Sequence, residues 1–177
     1  MFPFKDEPKI YQSESFKAHA LKAISAVDMA VKSLDDLESL MPKLKNLGRI
    51  HAKKGVKVEH YPVVGDALIT TMRVGLKKSW TPEIEKAWEA IYQIIQDTMI
   101  GDNYEPNDPD DQELTDERVQ LVQECWKALI TSEETYQPVG IAILKEFFKL
   151  QPEALKLFSF GNNDEINEDE IYDQIQV

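Results

Sequence analysis

The chain has 177 residues, 42% hydrophobic and 29% charged, which suits one soluble domain with a sizeable core. Its formal net charge of −12 argues against nucleic acid as a partner, since phosphates require a basic face. No apolar run approaches a membrane span and no charged-then-apolar leader opens the chain. The single Cys125 leaves no intrachain disulfide, so a reducing, cytoplasmic setting is expected.

Residues 1–12, with Pro3 and Pro8, read as extended. Ser13 or Ser15 then caps a helix that turns Phe16, Ala20, Ala23, Ile24, Val27, Ala30 and Val31 inward. A second helix runs from about residue 42 to 54. Pro42 suits its first turn, Lys53 and Lys54 suit its negative end, and Gly55 stops it. Residues 57–61 lead onward, and His60 reads as an exposed loop histidine. A third helix places Val64, Leu68, Met72 and Leu76 on one face and breaks at residues 79–82. Thr81 caps a fourth, with Pro82 first and with Ile84, Ala87 or Trp88, Ile91, Ile95 and Met99 inward.

Residues 101–114, with Gly101, two prolines and no apolar period, read as a linker. Thr115 caps a fifth helix carrying Val119, Val122, Trp126 and Leu129, with Cys125 as a buried small side chain. A sixth spans about residues 134–150 and packs Ile141, Leu144, Phe147 and Phe148. Pro152 opens a short one that ends at residues 157–160. No strand pattern occurs, so the fold class is all-α. The acidity is local. Residues 101–117 hold eight acids and residues 161–177 six, both without Lys or Arg; outside them, 18 acids face 20 basic residues. Both stretches read as solvated segments, a linker and a tail.

Two histidines stand among apolar residues. His51 shares a helical face with Leu44 and Leu47, and His19 shares one with Ala23. Each could be a core histidine bonded to a carbonyl. Together they could instead face a planar cofactor from two sides, His51 as an axial ligand to a haem iron.

Several runs carry a family resemblance. They are Ser-Phe-Lys-Ala-His at 15–19, Leu-Gly-Arg-Ile-His-Ala-Lys-Lys-Gly-Val at 47–56, Val-Gly-Asp-Ala-Leu at 64–68 and Trp-Thr-Pro-Glu-Ile-Glu-Lys-Ala-Trp at 80–88. From residue 13 to 99 the chain resembles the second part of a globin, of the neuroglobin-like kind. Residues 115–160 resemble the opening part, through Leu-Val-Gln-Glu-Cys-Trp-Lys-Ala-Leu at 121–129 and the run from Gly140 to Phe158. The order is reversed relative to an ordinary globin. The resemblance therefore implies a globin fold in circularly permuted order, one domain over 1–160. Its late helices lie at 13–99, an acidic linker at 101–114 and the early helices at 115–160, with 161–177 as an acidic tail. Fully extended, the 14 linker residues reach about 46 Å. A domain of this size is roughly 40 Å across, so one chain can close the fold; exchange of halves between two chains is the competing arrangement.

The Phe-X-Phe strings at residues 2–4 and 158–160 look like the same corner at both ends, as in a unit cut from a tandem globin array. Neighbouring globin domains in a longer chain are thus expected partners. Either Phe2 or Phe158 could press on the cofactor; Phe158 is favoured because it continues from a recognisable short helix.

By resemblance, His51 is the proximal ligand of haem b and His19 the distal residue, bound to the iron when no gas is present or donating a hydrogen bond to bound gas. Leu47, Val56, Tyr61 and Val64 match the proximal wall, and Ala23 and Leu144 the distal wall. Lys22 matches a position near a haem carboxylate. Tyr61 stands where phenylalanine is usual, so its hydroxyl needs a partner. The implied function is reversible binding of oxygen or another diatomic gas, for storage, transport or sensing, with no catalytic residue expected. The alternatives are haem redox chemistry, such as nitric oxide dioxygenation or nitrite reduction, and a haem-free interaction module.

Overall fold

Six α-helices and two short 3-10 turns make up the residues that the computed structural model describes, 11–101 and 114–158. In chain order they are α1 (Glu14–Lys32), α2 (Leu37–Lys53), α3 (His60–Leu76), α4 (Pro82–Ile100), α5 (Asp116–Leu129) and α6 (Glu133–Leu150). The 3-10 turns are Lys77–Ser79 and Pro152–Leu157. No strand occurs among the described residues, and none of the helices there is long and apolar enough to cross a membrane. Phe2 and the acidic segments at 102–113 and 159–177 lie outside the described residues.

Caps set most of the boundaries. Ser13, the first of the two candidate serines, starts α1, its hydroxyl accepting from Phe16 N–H at 3.2 Å. Thr81 and Thr115 do the same for α4 and α5, each accepting at 3.3 Å. The start of α2 differs from the expected residue 42. Asp36 accepts from Ser39 N–H at 3.2 Å, so the helix begins at Leu37 and Pro42 lies inside it. A proline there removes one intrahelical bond, the one its N–H would give Glu38 O.

The large core packs Trp88 of α4 against Trp126 of α5, ring centroids 5.7 Å apart and planes tilted by 50°. Cys125 is buried as expected and accepts from Trp88 Nε1–H at 3.2 Å; burial pushes its thiol pKa up, with that bond opposing. Although α5 and α6 come last in the chain, they cover the earlier helices: α6 lies along α1 and α3, and α5 along α4. Bonds tie α5 to α1 and to the turn that follows it, including one from Gln123 Nε2 to Val31 O at 3.3 Å. Trp126 Nε1–H donates to Asp28 Oδ1 at 2.9 Å, and Gln123 Nε2 donates to Asp35 Oδ2 at 2.9 Å.

At two crossings the backbones nearly touch. A Cβ on Gly48 of α2 would stand 1.8 Å from Met99 O of α4, and one on Gly140 of α6 would stand 2.2 Å from Ala20 O of α1. Only glycine permits approaches this close. They bring α2, which carries His51, and α1, which carries His19, into fixed positions in the bundle.

Candidate functional site

His51 sits in the last turn of α2. Its Nδ1 lies 2.9 Å from Leu47 O, four residues back. A carbonyl can only accept, so Nδ1 carries the proton and Nε2 keeps its lone pair. Burial pushes the imidazole pKa below its ordinary value, with the Leu47 bond opposing. The ring is therefore neutral near pH 7, the form a metal needs. Its centroid is 6.4 Å from that of Tyr61.

His19 approaches from α1. Its ring meets Phe158 edge-on at 4.9 Å, and Phe158 meets Phe148 of α6 in the same way at 5.1 Å. Thus the residue at the end of the second 3-10 turn closes a corner that α1 and α6 also build.

Between these elements lies a cavity of about 330 Å³, within the range of small-molecule and cofactor sites. All ten residues singled out in the sequence border it. α1 contributes His19, Lys22 and Ala23; α2 contributes Leu47 and His51; Val56 comes from the turn after α2. Tyr61 and Val64 come from α3, Leu144 from α6, and Phe158 closes the corner. Tyr61 is 9% exposed, and burial raises its phenol pKa. Its backbone carbonyl accepts from Tyr92 O–H at 2.6 Å, which ties α3 to α4.

One expectation is corrected here. His60 is buried rather than exposed, at 7%, and it begins α3 instead of lying in a loop. The chain folds back so that Lys57 N–H donates to His60 Nδ1 at 3.1 Å, and the ring borders the cavity. Sequence reading also missed Gln96 and Lys54, which border it too. The signals were present: Gln96 is four residues past Tyr92 on α4, and Lys54 is three past His51.

The donor set fits a haem. The walls are mostly aliphatic and aromatic, one neutral imidazole offers a lone pair, and a second histidine comes from another helix. Among the described residues no Asp or Glu borders the cavity, whereas Lys22 and Lys54 do. That polarity suits a flat apolar group with carboxylates at one edge. Among the described residues no cluster of three or more His, Cys, Asp or Glu could hold a bare metal ion.

An all-α bundle folded about such a cavity has the make-up of a haem protein. The family model described as Globin matches residues 1–99. The chain is 34% identical over 94 residues to neuroglobin of Danio rerio, covering 53% of this chain and 59% of the relative. It is 36% identical over 87 residues to neuroglobin of Tetraodon nigroviridis, covering 49% and 55%. It is 34% identical over 103 residues to the flavohemoprotein of Bacillus subtilis (strain 168), covering 55% of this chain and 26% of the relative. The chain belongs to the globin family, and it is a neuroglobin-like globin with the all-α globin fold and the haem cofactor that membership implies. It matches little more than half the length of the neuroglobins and about a quarter of the flavohemoprotein. No solved structure matched it significantly.

Proposed function

We propose that this globin binds one haem b through His51, with His19 on the opposite face, and takes up oxygen or another diatomic gas reversibly. The observation that carries this reading is His51 itself. Its Nδ1–H is fixed on Leu47 O, which leaves Nε2 as the ligand atom. The haem would supply an iron able to bind the gas. Leu47, Val56, Val64, Ala23 and Leu144 would exclude water from it, and Lys22 would pair with one of its carboxylates. Phe158 presses on it at the corner. We place the residues in one permuted globin domain over 1–160, in a cytoplasmic setting that suits the lone, buried Cys125, with neighbouring globin domains as partners in a longer chain.

In this reading His19 would be a second imidazole able to compete with gas for the haem. Only the open fraction then binds gas, which lowers the apparent affinity. An absorbance spectrum of ligand-free ferrous protein tests both claims. A haem band with sharp, split low-spin features is expected. A broad high-spin band would leave His19 as a hydrogen-bond donor alone, and the absence of any haem uptake would overturn the whole reading. Haem redox chemistry is the second reading, favoured by the 34% identity to a flavohemoprotein. Gas-dependent consumption of nitric oxide by the haem-loaded chain would favour it over simple carriage.

A further inference from the structure

Residues 43–57 hold six cations, Lys43, Lys45, Arg49, Lys53, Lys54 and Lys57, and no acid, in a chain of net charge −12. All but Lys43 are exposed. Lys45, Arg49 and Lys53 follow one another at four-residue steps, so they form a single stripe along the outer face of α2. Like charges at that spacing repel. Among the described residues the only ion pair in the stretch is Lys57 with Glu59, at 3.4 Å. An anion lying over the stripe would relieve that repulsion.

The chain leads a strong candidate to the spot. A Cβ on Gly55, just past the end of α2, would be 3.5 Å from Leu157 Cδ2. Leu157, near the end of the described chain, therefore lies beside the turn that Lys53, Lys54 and Lys57 flank. Within 161–177 the chain carries Asp164, Glu165, Glu168, Asp169, Glu170 and Asp173 and no Lys or Arg. Nineteen residues follow Phe158 and can span about 60 Å when extended, whereas the 17 residues of α2 measure about 26 Å. Residues 102–113 are also acidic, but α4 and α5 hold them at both ends.

We infer that the basic outer face of α2, the helix that carries His51, is a docking surface for this chain's own acidic segment 161–177. The contact is electrostatic, so it weakens as salt shortens the reach of charge, to about 3 Å at roughly 1 M. It reassigns the segment from mere solvation to a partner of α2, and it does not depend on haem being bound.

Carbodiimide cross-linking of the full chain, which joins carboxylates to lysines at contact distance, tests it by mass spectrometry. Intrachain links from Lys45, Lys53 or Lys54 to acids of 164–173 are expected in the monomer, falling several-fold at roughly 1 M salt. In a Lys45→Glu, Arg49→Glu chain, links at Lys53 and Lys54 should fall similarly. The salt series on the unaltered chain decides the matter if that variant folds poorly. Links from these lysines to acids of 102–113, links to a second chain or to no acid at all, or a yield indifferent to salt would each overturn the inference.

Discussion

At the scale of single residues, the two consequential polar groups are His51 and Asp28. Replacing His51 by Leu removes the only lone pair that the bond to Leu47 O holds in place. Stable haem uptake should be lost, and a parent-like spectrum in every redox state would refute the assignment. Asp28 is 8% exposed. Burial pushes its carboxyl pKa up, but bonds from Lys32, Trp126 and Tyr136 outweigh this and hold it below its ordinary value. A carboxyl depressed on folding adds stability above its unfolded pKa, about 3.9. That stability is lost as pH falls through the lower, folded value. The Asp28→Asn variant should therefore lose part of its stability at neutral pH, about 1–3 kcal/mol. It should also show a flatter acid limb below pH about 4 than the parent. Urea midpoints measured across pH give the comparison, and parallel limbs would exclude Asp28 as the source.

Between elements, the tightest constraint is the α2–α4 crossing. A methyl on Gly48 would stand 1.8 Å from Met99 O, and a backbone carbonyl cannot rotate away as a side chain can. Gly48→Ala should therefore force the helices apart, costing about 1–3 kcal/mol or more, and loosen the hold of α2 on His51. Thermal melts of haem-free and haem-loaded protein read both effects; an unchanged melt would mean the crossing is softer than its geometry. The helices themselves were legible in the sequence because caps and apolar spacing agree, as at Thr81, Thr115 and the face of Trp88. What was not legible depended on tertiary contact. Pro42 resembled a helix start, yet Asp36 caps the helix so that it begins five residues earlier, at Leu37. His60 resembled a loop residue until the return of Lys57 N–H buried it. Gly48 and Gly140 carried no visible mark of the crossings they permit. The candidate site residues were readable as a group because the resemblance joined positions from four helices, which no single helical period could do; Gln96 and Lys54 escaped because each alone looks like an ordinary surface residue.

At the scale of the whole molecule the question is the order of the helices. The contacts that unite the two stretches are made in space, not along the chain: α6 on α1 and α3, α5 on α4, Trp126 on Asp28 and Gln123 on Asp35. None of them depends on which stretch comes first. Moving the break in the chain changes mainly the entropy of closing one loop, and doubling a loop's length costs only about 0.6 kcal/mol. A chain re-ordered so that 115–177 precede 1–101, with residues 102–114 removed, should therefore bind haem with the parent spectrum. It should melt within a few degrees of the parent, the shift expected from about 1 kcal/mol. It should run as a monomer at every concentration, because the half-exchange between chains competing with closure in one chain would give a dimer whose share grows with concentration. A re-ordered chain that folds but takes up no haem would mean that the present order is needed to form the pocket, and that the permuted-globin reading of residues 115–158 is mistaken.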